Sequence, residues 1–260
     1  MLFHSLRVFI LSSLILLIGV VAPFAGEVGV VLMHGKGGGV KSNSPIGKLA
    51  ARLKGDFVIA VPEISWSRSR NFDGTMEEAF EEIEEVIARL KAQGATKIVV
   101  GGHSMGANTA LAFATCYPGL AGVLMIAPGH RSDAYAQQNK NALDRGNAFA
   151  GRGETDGRVE IFDKNQGKII KRYLKVAIAV SWFDPEGLAV MQNSAPKVRT
   201  GTPVYWVIGK KDRLHPKGRD LIYSKTPTHP KSAYVVVSGG HGVAPIRGAC
   251  KIASWLGSLR

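Results

Sequence analysis

Along this chain, unbroken apolar runs of strand length alternate with longer stretches in which apolar residues recur at helical spacing. Val28 to Met33, Ile98-Val99-Val100, Ala121 to Ala127, Pro203 to Ile208 and Ala233 to Val237 carry no charge. Runs without polar alternation fit strands that a parallel sheet buries on both faces. Between them, Thr75-Met76-Glu77-Glu78 is a capping box, and Met76, Phe80, Ile83, Ile87 and Leu90 follow as one helical stripe. Glu77, Glu78, Glu81, Glu82, Glu84 and Glu85 fall on the outer face of that helix, as solvated charge and not as catalytic carboxylates. Ala107 to Ala114 predicts a second helix. Strands alternating with helices define an α/β chain with a doubly wound, mostly parallel sheet.

From Gly129 to about Val198 the alternation stops. Polar residues dominate Arg131 to Arg145, which predicts a helix. Val159 to Phe162, the turn Lys164-Asn165-Gln166-Gly167 and Lys168-Ile169-Ile170 predict a hairpin. Asp184 stands before Pro185 and is expected to cap a helix starting there. The Trp182-Phe183 pair fits either a pocket wall or core packing.

Chemistry enters at Gly102-His103-Ser104-Met105-Gly106, which joins a strand to a helix. A serine held at the apex of so sharp a turn needs neighbours almost free of side chain, and Gly102 and Gly106 supply them. This G-x-S-x-G arrangement lifts a serine hydroxyl above the sheet edge. Two other strand ends carry suitable partners: Gly209-Lys210-Lys211-Asp212 and Ser238-Gly239-Gly240-His241-Gly242. A serine hydroxyl is a poor nucleophile at neutral pH. It needs a base within hydrogen-bond reach, commonly histidine, and a carboxylate to fix the histidine tautomer. For the acid, Asp212 competes with Asp184 and with Asp220, which falls inside a predicted helix. For the base, His241 directly follows a strand, whereas His215 and His229 lie near prolines in a loop. His34 and His103 are assigned packing and backbone roles.

Ahead of the elbow, His34-Gly35-Lys36-Gly37-Gly38-Gly39 follows the first strand and leaves backbone N–H groups bare. Together with the elbow and the Ser, Asp, His order, this resembles the α/β-hydrolase superfamily, in its serine-aminopeptidase and lysophospholipase-like branch, from about Val28 to the C-terminus. The resemblance implies a triad of Ser104, Asp212 and His241, with the Lys36 and Met105 amides as oxyanion donors. It also implies a minimal sheet of about six strands, in order 4-3-5-6-7-8 by family numbering, with Phe57 to Val61 as the edge strand beside Val28 to Met33. The insertion of about residues 129–198 then follows the sixth family strand as a lid. The expected activity is cleavage of a carboxylic ester through an acyl-enzyme. Amide or peptide cleavage by the same residues, or a non-catalytic hydrolase fold used for binding, are the alternatives.

Composition bounds this reading. A chain of 260 residues with 45% apolar content can bury one large core. A hydrolase domain over 27–260 is expected, preceded by a signal peptide over 1–25 with Arg7, the apolar Val8 to Val21, and Ala22-Pro23-Phe24-Ala25. The apolar run is short for a membrane-spanning helix of about 20 residues, so an exported, periplasmic or secreted protein is expected. In such a compartment Cys116 and Cys250 raise the question of a disulfide. The family fold places them on opposite faces of the sheet, which implies two free, buried thiols. The net charge of +13 is scattered without interleaved aromatics, which argues against nucleic acid. It fits instead an anionic membrane surface or acidic substrate, or simply a solvated basic surface. No metal-ligand spacing occurs, and the glycine run lacks the GK[ST] ending of a phosphate loop, so no metal or cofactor is expected. Finally, Trp66-Ser67-Arg68-Ser69-Arg70 leaves the sheet at its ligand-binding edge. If extended, it would aim Arg68 and Arg70 together at an anionic substrate, and Trp182 is a third candidate substrate contact.

Overall fold

The computed structural model describes residues 27–154 and 156–260; the leader expected over 1–25 lies outside the described residues. The chain runs β1 (Val28–Met33), α1 (Pro45–Leu53), β2 (Val58–Ala60), α2 (Met76–Ala92), β3 (Lys97–His103), α3 (Met105–Cys116) and β4 (Gly122–Ile126). An insertion follows, made of α4 (Ala136–Gly151), β5 (Arg158–Asn165), β6 (Lys168–Lys175), α5 (Val176–Phe183) and α6 (Met191–Ser194). The core resumes with β7 (Val204–Gly209), α7 (His215–Leu221), β8 (Ala233–Val237), α8 (Ala244–Arg247) and α9 (Ala249–Gly257).

Six strands form one sheet in the order β2-β1-β3-β4-β7-β8. Every pairing is parallel, with Val30 opposite Val99, Val100 opposite Val123, and Tyr205 opposite Ala233. Side chains alternate between faces along each strand. Val28, Val30 and Leu32 therefore join the core beneath α1 and α9, where Leu49, Ile252 and Trp255 pack. Val31 and Met33 face the other way, toward Ile83 and Ile87 of α2 and Leu111 of α3. The capping box of α2 is formed as expected, with Glu78 N–H donating to Thr75 Oγ1 and Thr75 N–H donating to Glu78 Oε2.

The hairpin is longer than its apolar pattern indicated, and its eight paired positions run from Arg158–Lys175 to Asn165–Lys168. Four expectations are corrected. The edge strand is Val58–Ala60, because Phe57 makes only an isolated bridge with Lys54. The polar helix starts as a 3-10 turn over Ser132–Tyr135 before α4. No helix starts at Pro185: Asp184 ends α5 and accepts, at Oδ1, a hydrogen bond from Glu186 N–H in a turn. Cys116 and Cys250 are free, but both are exposed rather than buried, since Cys116 ends α3 beyond its buried stretch Met105 to Ala114 and Cys250 lies off the buried stripe Ala249, Ile252, Trp255 and Leu256 of α9.

Candidate active site

The elbow forms where β3 meets α3. Ser104 has φ 56° and ψ −118°, a conformation that costs on the order of 1–3 kcal/mol for a residue with a side chain. The flanking glycines make it possible. A Cβ on Gly102 or on Gly106 would lie 2.6 Å from Met33 O, so β1 and the elbow can touch only where both side chains are absent. Asn108, one turn into α3, ties the elbow to the loop after β4. Its Oδ1 accepts from Gly129 N–H (3.1 Å) and its Nδ2 donates to His130 O (2.6 Å).

The structure brings Ser104, His241 and Asp212 to one point. A Cβ on Gly129 would stand 2.9 Å from Ser104 Oγ, 2.9 Å from His241 Cε1 and 3.4 Å from His241 Nε2. His241 Nδ1 lies 2.8 Å from Asp212 Oδ2, and Asp212 Oδ1 accepts from Leu214 N–H at 2.9 Å. Burial raises the Asp212 carboxyl, but the hydrogen bonds from His241 and Leu214 outweigh it and hold the group below the ordinary carboxylate range. The rival acids lie elsewhere in the fold: Asp184 ends α5, and Asp220 belongs to α7.

Two further histidines serve the scaffold. His103 is buried, its ring centroid 4.7 Å from that of His241, and its Nε2 lies 3.1 Å from His241 O. Burial, and then the neighbouring His241, lower its pKa to about 4, so it supports the His241 loop as a neutral ring. His34 Nε2 accepts from Ile64 N–H (3.3 Å), which leaves Nδ1 to donate to Gly35 O (2.9 Å). With Trp66 Nε1 donating to His34 O (3.0 Å), this pins the glycine loop to the segment after β2. The Lys36 and Met105 N–H groups find no acceptor among the described residues.

The Lys36 side chain turns inward, where its ammonium pairs with Asp163 of β5; the second Asp163 oxygen takes Arg172 Nε of β6 at 2.7 Å. The Lys36, Asp163 and Arg172 side chains are 4%, 0% and 10% exposed. Burial raises the Asp163 carboxyl, while Lys36 and Arg172 more than offset it and keep it ionised. Sequence reasoning missed Asp163. Its signal was the alternation Val159, Ile161, Asp163, which points a carboxylate to the buried face of a strand.

Of the expected substrate contacts, only Arg68 reaches the cavity beside Ser104. Residues 65–70 form turns instead of an extended segment, so Arg68 and Arg70 diverge. The Arg70 guanidinium grips Glu82 through two bonds of 2.7 and 2.8 Å and also bonds Asp73. Trp182 is core: 1% exposed, it donates to Gly74 O at 2.9 Å and packs edge-on against Trp66. The cavity, about 420 Å³, is lined by the glycine loop, Arg68, and the hairpin residues Asn165, Gln166, Lys168 and Ile170. Among the described residues no group of His, Cys, Asp and Glu has the arrangement of a metal site.

A model of the alpha/beta hydrolase family matches residues 30–247, and the chain belongs to that family. Solved structures agree on the fold. A monoacylglycerol lipase from Paleococcus ferrophilus aligns with TM-score 0.61 and 19% identity over 89% of this chain and 95% of its own. A metagenome-derived lipolytic enzyme of the LipS and LipT pair gives 0.58 and 18% over 90% and 94%. A proline iminopeptidase from Mycobacterium smegmatis gives 0.55 and 17% over 92% and 91%. No curated protein sequence matches the chain. Family membership makes the protein a hydrolase, and the parallel sheet and these likenesses show its fold.

Proposed function

We propose that this hydrolase is an exported serine esterase that works through an acyl-enzyme. The observation that carries the reading is the 2.8 Å pairing of His241 Nδ1 with Asp212, on a ring whose Cε1–Nε2 edge borders the same spot above Gly129 as the Oγ of the strained Ser104. In the first half-reaction Ser104 Oγ bonds to the ester carbonyl carbon as His241 Nε2 takes its proton. Asp212 fixes the tautomer and stabilises the imidazolium. The tetrahedral oxyanion is held by the Lys36 and Met105 N–H groups, each such donor contributing about 3–4 kcal/mol to the transition state. Collapse breaks the ester C–O bond, and His241 returns the proton to the leaving alcohol. Water then repeats the sequence on the acyl-enzyme, releasing the acid and restoring Ser104.

A fluorophosphonate probe tests this directly, with a panel of neutral acyl esters and matched amides. Wild-type protein should label and should hydrolyse the esters, and Ser104→Ala should do neither while unfolding at the wild-type temperature. Labelling of the alanine variant would move the nucleophile elsewhere; amide turnover above ester turnover would make the protein a peptidase with the same residues. Export rests on Arg7 and the apolar Val8 to Val21 that precede the domain.

A further inference from the structure

The cavity beside Ser104 has an unusual charge balance. It is walled by Gly35 to Gly39 on one side, Arg68 on a second and the β5–β6 turn on a third. Arg68 and Lys168 come from segments one hundred residues apart and converge on it, yet no Asp or Glu lines it among the described residues. Neither cation makes a side-chain hydrogen bond or ion pair among the described residues, although Arg70, Arg131, Arg152 and Arg172 all do. Two neutral amides, Asn165 and Gln166, complete the rim. Asn165 Nδ2 is 4.0 Å from the position of a Cβ on Gly37, so the hairpin turn meets the glycine loop at the rim of the cavity. The apolar residues of its lining are Pro45, Ile46 and Ile170.

We propose that this cavity is an anion subsite: the preferred substrate is a small ester bearing a phosphate or carboxylate a few atoms from the scissile bond, held by Arg68 and Lys168. The inference deepens the serine-esterase reading and rests on it. The guanidinium offers a planar fork to such a group and the ammonium a point charge. Both are solvent-exposed in the free protein, and a bound anion places a carboxylate or phosphate where the protein itself supplies none. The hairpin then selects the substrate, because Lys168, Asn165 and Gln166 all come from its turn. The pairing of Lys36 with Asp163 keeps that turn over the nucleophile.

Two pairs of substrates separate the sources of the anion. On the alcohol side, 1-butyryl-glycerol-3-phosphate is compared with monobutyrin; on the acyl side, 4-nitrophenyl hydrogen adipate is compared with its methyl ester. Wild-type protein should show a KM about tenfold lower for the anionic member of at least one pair, the size of one partly exposed charge-assisted contact. Arg68→Gln and Lys168→Gln should each remove most of that preference, read as the ratio of neutral to anionic KM within a pair. Lys175→Gln changes the net charge equally at the far end of β6, where its ammonium lies 3.9 Å from Asp156, and should leave the preference intact. Salt at 0.5 M should mimic the Arg68 and Lys168 variants. Equal KM values within both pairs, or a Lys175→Gln effect as large as that of Arg68→Gln, would overturn the subsite while leaving Ser104-dependent hydrolysis of the neutral esters standing. Absence of both labelling and turnover on all four esters would overturn the esterase reading, and the subsite with it.

Discussion

Replacing Asp163 by Asn is the perturbation with the largest calculable effect. Asp163 is fully buried and bridges two cations, Lys36 and Arg172, whose side chains are 4% and 10% exposed. The amide keeps the shape and one acceptor but removes the charge, so Lys36 is left in the interior without its counter-ion. Breaking a buried pair by removing one partner costs about 3–5 kcal/mol, a large share of the roughly 5–15 kcal/mol that stabilises a domain. For a domain of this size each kcal/mol lowers Tm by about 2–4 °C, so thermal unfolding should shift by roughly 6–20 °C. Lys36 also carries one of the proposed oxyanion amides. At temperatures where the variant is folded, kcat should therefore fall more than KM rises. The triple variant Lys36→Met, Asp163→Leu, Arg172→Met removes all three charges and should regain much of the stability, because apolar replacement of a buried ion cluster is often neutral or favourable. A Tm within about 2 °C of wild type for Asp163→Asn would refute the argument, as would a triple variant no more stable than the single one.

Asp212→Asn should lower turnover by about three to four orders of magnitude, since the amide favours the wrong His241 tautomer; full activity in steady-state assays would remove Asp212 from the mechanism. Asp163 and Asp212 both have native pKa values below their unfolded ones. Their stabilisation is therefore complete above the unfolded value, about 4, and is lost as pH falls through the native values; chemical denaturation at pH 7, 5 and 3 should show a steep loss only at the acid end, and a flat profile would contradict it. Gly106→Ala places a Cβ 2.6 Å from Met33 O and should abolish labelling or yield insoluble protein; an active, wild-type-like variant would mean that β1 and the elbow can separate. Cys116 and Cys250 should both react with a thiol reagent in the native protein, as their exposure requires, and intact mass should place the mature N-terminus between Pro23 and Glu27.

Local patterns were enough to place the elbow and five of the six strands of the sheet. An unbroken apolar run such as Val28 to Met33 has one stable use, a strand covered on both faces, and a serine between Gly102 and Gly106 at a strand end has few conformations open to it. His241 and Asp212 were readable because each directly follows a strand, and parallel strands deliver their C-terminal ends to one edge of the sheet. The insertion was not readable to the same depth. Its side chains are placed by contacts between segments far apart in sequence, such as Lys36 with Asp163 and Asn71 with Arg172. The fate of Arg70 depended on Glu82, which a helical pattern could assign only to an outer face. Trp182 went to the core because Trp66, Phe72 and Gly74 surround it, whereas the choice of Arg68 and Lys168 as the cavity's cations was made by the hairpin folding back over the glycine loop. Periodicity records which face of an element is buried; which partner waits on that face is decided only when distant segments pack.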